Sequence, residues 1–179
     1  MKTPLSPKKR AIYATLIFSL FGAIGIILAW NDLRIAWPAI LFYIMLLWND
    51  YYSIQHFSKI IPPGKTSQMF IDGILVILHF VSVFWFGNPF LFTIAMVVLF
   101  ILAVLKYAGD LPSVKNSQAL YRKVKIDALG ALISALALAG MFAGYPWQST
   151  MIWTGVFVCA SVYVILVNPL YKESFGVLP

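Results

Sequence analysis

The chain has 179 residues, of which 61% are hydrophobic and only 11% are charged. Soluble domains carry roughly 25% charged residues, so this composition excludes a water-soluble fold and predicts a protein that lies in a lipid bilayer. The formal net charge of +7 comes from basic residues grouped in short segments. Such grouping is typical of membrane orientation and does not favour a nucleic-acid partner.

Six apolar segments follow one another along the chain. They predict helices over residues 11–30, 38–57, 68–86, 89–107, 125–144 and 147–168. At ~1.5 Å per residue, each helix is about as long as the ~30 Å hydrocarbon core is thick. The fold class predicted from this pattern is an all-α integral membrane protein with six transmembrane helices.

Short links predict that these helices form three hairpins, joining the first to the second, the third to the fourth, and the fifth to the sixth. Residues 1–10 form a basic N-terminal segment, residues 11–168 the six-helix transmembrane domain, and residues 169–179 a tail. The first apolar segment is longer than the ~7–15 residues of a signal-peptide core, so we expect an uncleaved transmembrane helix.

Basic residues predict the orientation of the bundle. Of the 13 lysines and arginines, only Arg34 falls between the first and second predicted helices, on the opposite side from all the others. Because positive charge is retained on the cytoplasmic side, we expect both termini to be cytoplasmic and the protein to lie in the cell membrane. Residues 48–73, which join the second and third helices, would lie on the same side.

Acidic residues gather at the predicted cytoplasmic helix ends. Asp50 closes the second apolar segment, whereas Asp72 and Asp127 lie in the first turns of the third and fifth. A carboxylate at a helix N-terminus is stabilised by the helix dipole and needs no ligand. The alternative is a site for protons, a cation or a lipid headgroup at the cytoplasmic mouth of the bundle.

His79 is the one titratable side chain predicted to lie well inside the hydrocarbon region. It follows Asp72 by two helical turns, so the two share a helix face with ~10 Å of rise between them. Together they could relay protons, while the alternative is a neutral histidine hydrogen-bonded across a helix interface. Two histidines and one cysteine are too few to predict a metal site, and no cofactor is indicated.

Small residues recur at four-residue spacing in the fifth segment. Gly130 and Ser134 form one such pair, and Gly140 and Gly144 form another. This spacing allows helix backbones to approach closely, so it predicts helix packing within the subunit or between subunits.

A short stretch carries a family resemblance. Residues 49–52 (NDYY), followed by Pro-Pro-Gly-Lys at 62–65, resemble the first aspartate motif of intramembrane aromatic prenyltransferases of the UbiA type. In that family the acids of the motif hold magnesium and the diphosphate of a prenyl donor. Here Ser53 and Phe57 stand where the family has acids, so Asp50 alone among the motif acids carries over.

Three classes of function stay open at this point. The buried histidine and the acidic residues favour a channel, a transporter or a proton-handling protein with a cytoplasm-facing site. The scarcity of polar residues favours a non-catalytic subunit of a larger membrane complex, whose partners would be other subunits or further copies of the chain besides the lipid bilayer. The motif at 49–52 favours a degenerate lipid- or prenyl-handling enzyme, so whether the protein is an enzyme is left open.

Overall fold

Six α-helices make up the part of the chain that a computed structural model describes, residues 5–61, 66–114 and 118–171. They are α1 (Pro7–Leu28), α2 (Leu33–Ile60), α3 (Thr66–Ser82), α4 (Pro89–Asp110), α5 (Gln118–Phe142) and α6 (Pro146–Val162). Short 3-10 turns follow α1, α3 and α4, and α6 continues into a π-helical turn, Tyr163–Val167. Some residues used in the sequence predictions lie outside the described residues. They are Lys2, Lys115 and Lys172 of the basic segments and residues 62–65 of the prenyltransferase-like stretch.

Five of the described helices are long and apolar enough to cross a membrane. They cover Pro7–Leu28, Gln68–Trp85, Pro89–Ser113, Gln118–Phe142 and Pro146–Val167. The helix outside this group is α2, which has 28 residues but carries tryptophan, tyrosine, proline, asparagine and aspartate among its apolar residues. Membrane-spanning character is therefore supported for five of the six predicted segments.

The largest differences from the predicted helix starts are in the second and fifth helices. Pro38 was expected to open the second helix, but α2 begins at Leu33 and Pro38 lies inside it. The fifth helix was expected to begin at residue 125, but α5 begins at Gln118. The earlier start matters for the site, because it places Lys123 on the helix one turn before Asp127 and on the same face.

The six helices form a ring in which neighbours in space are not always neighbours in sequence. Around the ring the order is α1, α2, α6, α5, α4 and α3, and α3 touches α1 to complete it. The contact between α4 and α5 is the most extensive, and α4 also reaches α2 and α6 across the centre. The polar groups of α2, α3, α5 and α6 can therefore meet inside one bundle.

A cluster of stacked aromatic rings fills the middle of the bundle. The Phe42 ring lies 4.1 Å from the Trp153 ring and 3.9 Å from the Phe157 ring, centroid to centroid. Phe92 and Phe100 pack edge-on against Phe42. These five residues, which we call the aromatic cluster, join α2, α4 and α6 through a dry contact.

Close helix contacts form at three of the four predicted small residues of α5. A Cβ atom at Gly130 would lie 2.9 Å from the Phe100 ring, and a Cβ at Gly140 would meet the Ser149 side chain of α6. The Ser134 hydroxyl accepts a hydrogen bond of 2.9 Å from the Trp153 indole of α6. Gly144 lies instead in the turn before α6, where its φ of +92° favours glycine and no atom would lie within 4 Å of an added Cβ.

The first helix contains two close contacts that its sequence did not indicate. A Cβ at Gly25 would lie 2.6 Å from the Val83 carbonyl oxygen, and a Cβ at Gly22 would lie 2.9 Å from the Tyr43 ring. Through these two glycines α1 lies directly against α2 and the end of α3.

Candidate functional site: a cavity at the basic end of the bundle

The polar groups meet at one end of the bundle, where α2 and α4 end and α3 and α5 begin. Side chains from these helices bond to one another there: Ser53 to Tyr107 at 2.8 Å, and Lys106 to Asp72. We call this end the basic end, because it carries Lys59, Lys106, Lys123 and Lys125.

A cavity of about 450 Å³ lies just inside the basic end. Five helices, α2 to α6, contribute to its wall, which is mostly apolar and includes Leu99, Phe100, Ile133 and Phe157. Its polar side chains come from all five helices and from the π-helical turn after α6: Asn49, Asp50, His79, Tyr107, Arg122, Lys123, Lys125, Asp127, Ser161 and Tyr163. An apolar chamber with a few convergent polar groups is the usual form of a small-molecule site.

The cavity lies against the aromatic cluster. Phe100 and Phe157 form its inner wall, and the stacked rings of Phe42 and Trp153 lie beyond them. Among its lining residues Leu129 of α5 and Val156 of α6 are exposed at the surface of the bundle. Lys125, Ala160 and Tyr163 are exposed lining residues as well, so the accessible side of the cavity runs along α5 and α6 from the basic end.

His79 of α3 binds Asp50 of α2, although these two helices are not neighbours in the ring. The imidazole Nε2 lies 2.7 Å from Asp50 Oδ2, and Nδ1 lies 2.8 Å from the Leu75 carbonyl oxygen one turn earlier in α3. His79 is only 6% exposed, yet it lines the cavity together with Asp50. Both ring nitrogens are therefore held by hydrogen bonds inside the bundle.

This geometry fixes where the protons of the pair lie. A carbonyl oxygen only accepts hydrogen bonds, so Nδ1 of His79 carries a proton and donates it to Leu75. One further proton lies between Nε2 and Oδ2, on the imidazole if Asp50 is ionised and on the carboxyl group if the imidazole is neutral. The pair is electrically neutral in both cases, and loss of that proton would leave a negative charge beside the cavity.

Neighbouring side chains fix the orientation of the pair. The Phe18 ring of α1 stacks on the His79 imidazole, and the Tyr43 hydroxyl donates to the Phe18 carbonyl oxygen at 3.2 Å. Next to Asp50, the Asn49 amide donates to Ser161 of α6 at 2.7 Å. Helices α1, α2, α3 and α6 therefore all contribute to the position of this one hydrogen-bonded pair.

Asp127 and Lys123 form a second buried pair on the cavity wall. They lie four residues apart on α5, and the Lys123 ammonium donates to Asp127 Oδ1. Asp127 is 1% exposed, and its other carboxylate oxygen, Oδ2, is buried without a hydrogen-bond partner among the described residues. The predicted site residue Asp127 is thus an inward-facing carboxylate rather than a surface group.

Asp72 lies apart from the other predicted site residues. Its side chain is 48% exposed and pairs with Lys106 of α4, and it is not among the residues that line the cavity. Asp50 takes the position next to the imidazole, so Asp72 does not contact His79 directly and a relay between them stays a prediction. The seven-residue spacing of Asp72 and His79 predicts a shared face of α3. It could not show that the carboxylate nearer to His79 is Asp50 of α2.

A second packed group of aromatic rings lies at the basic end, near the cavity. Tyr171, the last described residue, packs against Tyr52, His56 and Phe57 of α2. Burial raises the pKa of the Tyr171 hydroxyl, so this phenol stays uncharged at physiological pH.

Tyr163, at the start of the π-helical turn, also lines the cavity. Such turns are rare and frequently occur at functional sites.

The residues that resemble the prenyltransferase motif do not assemble a metal site in the described part of the chain. Asn49 uses its amide to donate to Met45 and Ser161, and Asp50 binds His79. No group of three or more histidine, cysteine, aspartate or glutamate side chains within residues 5–61, 66–114 and 118–171 is arranged to hold a metal ion. Comparison with protein-family models, with curated proteins and with solved structures gave no match to this chain.

Proposed function

We propose that this protein is a membrane transporter that handles protons at the Asp50–His79 pair and binds its substrate in the adjoining cavity. All six helices, including α2, would cross the membrane as three hairpins, with the lipid bilayer around them. The basic end, both termini and the cavity side of the aromatic cluster would face the cytoplasm of a cell-membrane protein.

The observation that carries this proposal is the 2.7 Å contact between His79 Nε2 and Asp50 Oδ2 on a cavity wall, which requires a shared proton. Ionisable groups inside a membrane are costly, and in transporters they mark proton and substrate pathways. Release of the shared proton would change the charge of the wall by one unit. Substrate binding and proton binding in the same cavity would then influence each other, as coupled transport requires.

The aromatic cluster favours a carrier over an open channel. Phe42, Trp153 and Phe157 stack beside the cavity and fill the middle of the bundle, which favours a closed path beyond the cavity. A carrier exposes its site to one side at a time, and a cavity on one side of a closed cluster corresponds to one such state.

Flux measurements in liposomes test the proposal. The purified protein would be reconstituted with a trapped pH-sensitive dye, and a potassium gradient with valinomycin would drive protons inward. We expect faster acidification than in protein-free liposomes. His79→Phe and Asp50→Asn should each reduce the rate to the protein-free level, because neither variant can hold the shared proton.

Asp72→Asn is the matched control, since Asp72 is an aspartate near the same end of the bundle but lies off the cavity wall. It should leave the proton flux unchanged. The proposal would be overturned if folded wild-type protein and folded His79→Phe protein both gave the same proton flux as protein-free liposomes. A loss of flux in Asp72→Asn alone would move the proton path to the Asp72–Lys106 pair.

A further inference from the structure

The cavity wall changes from cationic to apolar along α5. Arg122 and Lys125 line the cavity near the start of this helix, at the basic end, and Leu129 and Ile133 line it farther in. Residues three or four apart share a helix face, so these four residues form one stripe that rises ~16 Å along the helix. The stripe is charged at the basic end and apolar toward the aromatic cluster.

The ionisable groups on the wall leave two positive charges without a carboxylate. Both aspartates that line the cavity, Asp50 and Asp127, are already paired with a basic side chain. Each of these pairs is neutral, the pair of Asp50 through its shared proton. Arg122 and Lys125 form no ion pair with a carboxylate of the described residues. The wall therefore has an excess of two positive charges near the basic end.

Arg122 and Lys125 have hydrogen-bond donors to offer a ligand. Arg122 donates to the Asn168 carbonyl oxygen at 3.4 Å, which uses one of the five N–H groups of a guanidinium. The Lys125 ammonium lies 4.6 Å from the centre of the Tyr121 ring and makes no hydrogen bond within the described residues. Lys125 is exposed and Arg122 is half-buried. Donors of this kind bind the oxygen atoms of phosphate and carboxylate groups.

The excess charge restricts the headgroup of a ligand. A cationic headgroup would add a third positive charge beside Arg122 and Lys125, and both carboxylates of the wall are already paired. An uncharged headgroup would leave the two charges without a counter-ion. An acidic headgroup neutralises them, and a phosphate monoester does so almost completely, with a charge of about −1.5 to −2 at neutral pH.

The remainder of the cavity suits a hydrocarbon chain. Phe100, Phe157 and Ile133 line its inner part, and exposed lining residues such as Leu129 and Val156 make it accessible along α5 and α6. A lipid that enters along this side keeps its headgroup at the basic end and its chain directed toward the middle of the bilayer. It has the same orientation in the adjacent leaflet, so it does not have to turn over in order to bind.

We infer that the cavity binds an anionic lipid, with its acidic headgroup held by Arg122 and Lys125 and its hydrocarbon chain in the apolar chamber. This inference rests on the proposed use of the cavity as a substrate site, and it names the class of substrate. No covalent step is involved.

Photolabelling in nanodiscs of phosphatidylcholine tests the inference. The probe is dodecyl phosphate with a diazirine at the far end of its chain, and matched probes replace the phosphate by a hydroxyl or a trimethylammonium group. With labelling of the protein normalised to labelling of the nanodisc lipid, we expect the phosphate probe to exceed the hydroxyl probe about tenfold or more, as charge-assisted hydrogen bonds predict. Equal labelling by these two probes, or stronger labelling by the trimethylammonium probe, would overturn the inference.

The labelled residues locate the chain. The diazirine should attach to Ile133 or Phe157, which line the inner part of the cavity. Leu132 and Leu136 of α5 serve as the comparison, because they are 57% and 63% exposed and do not line the cavity. Labelling confined to these two leucines would place the chain on the outer surface of the bundle and overturn the inference.

Charge variants test the headgroup contacts. Lys125→Gln and Lys59→Gln form a matched pair, because both lysines are exposed at the basic end and only Lys125 lines the cavity. We expect Lys125→Gln to reduce labelling by the phosphate probe several-fold and Lys59→Gln to leave it unchanged. Arg122→Gln combined with Lys125→Gln should abolish the preference for phosphate over hydroxyl. Undiminished preference in the folded double variant, or equal reductions in the two single variants, would overturn the inference.

Competition distinguishes a lipid from free phosphate. Unlabelled dodecyl phosphate should displace the probe, whereas inorganic phosphate at the same concentration should not, because it lacks the chain that the chamber accepts. Equal displacement by the two would assign the site to free phosphate and overturn the lipid.

The labelling needs no proton gradient, so its outcome is separate from that of the flux experiment. Selective labelling by the phosphate probe without proton flux would remove the proposed transport function and keep the ligand class. Proton flux without selective labelling would keep the transport function and remove the anionic lipid.

Discussion

The Phe18 ring stacks on the His79 imidazole, with the ring centroids 4.7 Å apart and the planes inclined by 20°. One face of the imidazole is therefore covered by α1, while its two nitrogens are held by Leu75 and Asp50. A histidine held in this way has one orientation, so its exchangeable proton has one position relative to the cavity. That fixed position is what a proton-handling site requires.

A double-mutant cycle should detect the bond between Asp50 and His79. We expect Asp50→Asn and His79→Gln to show a coupling of about 1–2 kcal/mol in the free energy of unfolding, since each variant removes the same charge-assisted bond. The same cycle with Asp72→Asn and His79→Gln should be additive within about 0.5 kcal/mol. Unfolding in mixed micelles of mild detergent and dodecyl sulfate measures both cycles, and the reverse pattern would restore Asp72 as the partner of His79.

Gly25→Ala should destabilise the protein. The new Cβ would lie 2.6 Å from the Val83 carbonyl oxygen, and a backbone atom cannot rotate away as a side chain can. We expect a loss of ~1–3 kcal/mol in the free energy of unfolding, the usual cost of overpacking. Gly155→Ala on α6 is the control, because nothing lies within 4 Å of its Cβ. Equal stability of the two variants would show that α1 does not approach α3 this closely.

Ser134→Ala should leave the Trp153 indole without an acceptor in the interior of the bundle. The expected cost is about 1–3 kcal/mol in the free energy of unfolding. In a Trp153→Phe background the same change should cost less, since no indole N–H then needs an acceptor. The bond from Ser134 to the Gly130 carbonyl oxygen is lost in both backgrounds and cancels. Equal costs in the two backgrounds would contradict the contact between α5 and α6.

Cysteine labelling tests the proposed orientation. Ser6 precedes α1 and Asn31 lies in the link to α2, and both side chains are exposed. In a Cys159→Ser background, needed because Cys159 is exposed, a cysteine at Ser6 or Gly64 should react in intact cells only with reagents that cross the membrane. A cysteine at Asn31 should also react with impermeant reagents. Labelling of Ser6→Cys from outside would reverse the orientation.

Apolar segment length and turn residues were sufficient to predict an all-helical chain and the approximate position of each helix. Helix partners could not be obtained in this way, because periodicity shows which face of a helix is apolar and not which helix covers it. Asp72 was placed with His79 because both lie on α3, whereas Asp50 reaches His79 from α2, which α1 separates from α3 in the ring. Gly25 was missed for the same reason, since its close neighbour is a carbonyl group of the turn after α3.

One part of the site, the Lys123–Asp127 pair, has a recognisable spacing in the sequence. Lys123 and Asp127 have the four-residue spacing of a helical ion pair, and the spacing would have indicated it had α5 been predicted to begin earlier. Ser161 carried no such signal, because a single serine in an apolar helix has many structural roles. Its contact with Asn49 depends on the position of α6 beside α2.

The composition of α2 has a consequence for how the chain enters the membrane. This helix is the least suited to cross a bilayer alone, and its Pro38 carbonyl and Asn49 amide bond to Thr154 and Ser161 of α6. During synthesis α6 emerges after the other five described helices, so the contacts of α2 with α6 form last. We therefore expect a chain truncated before α6 to be degraded faster in cells than the full chain.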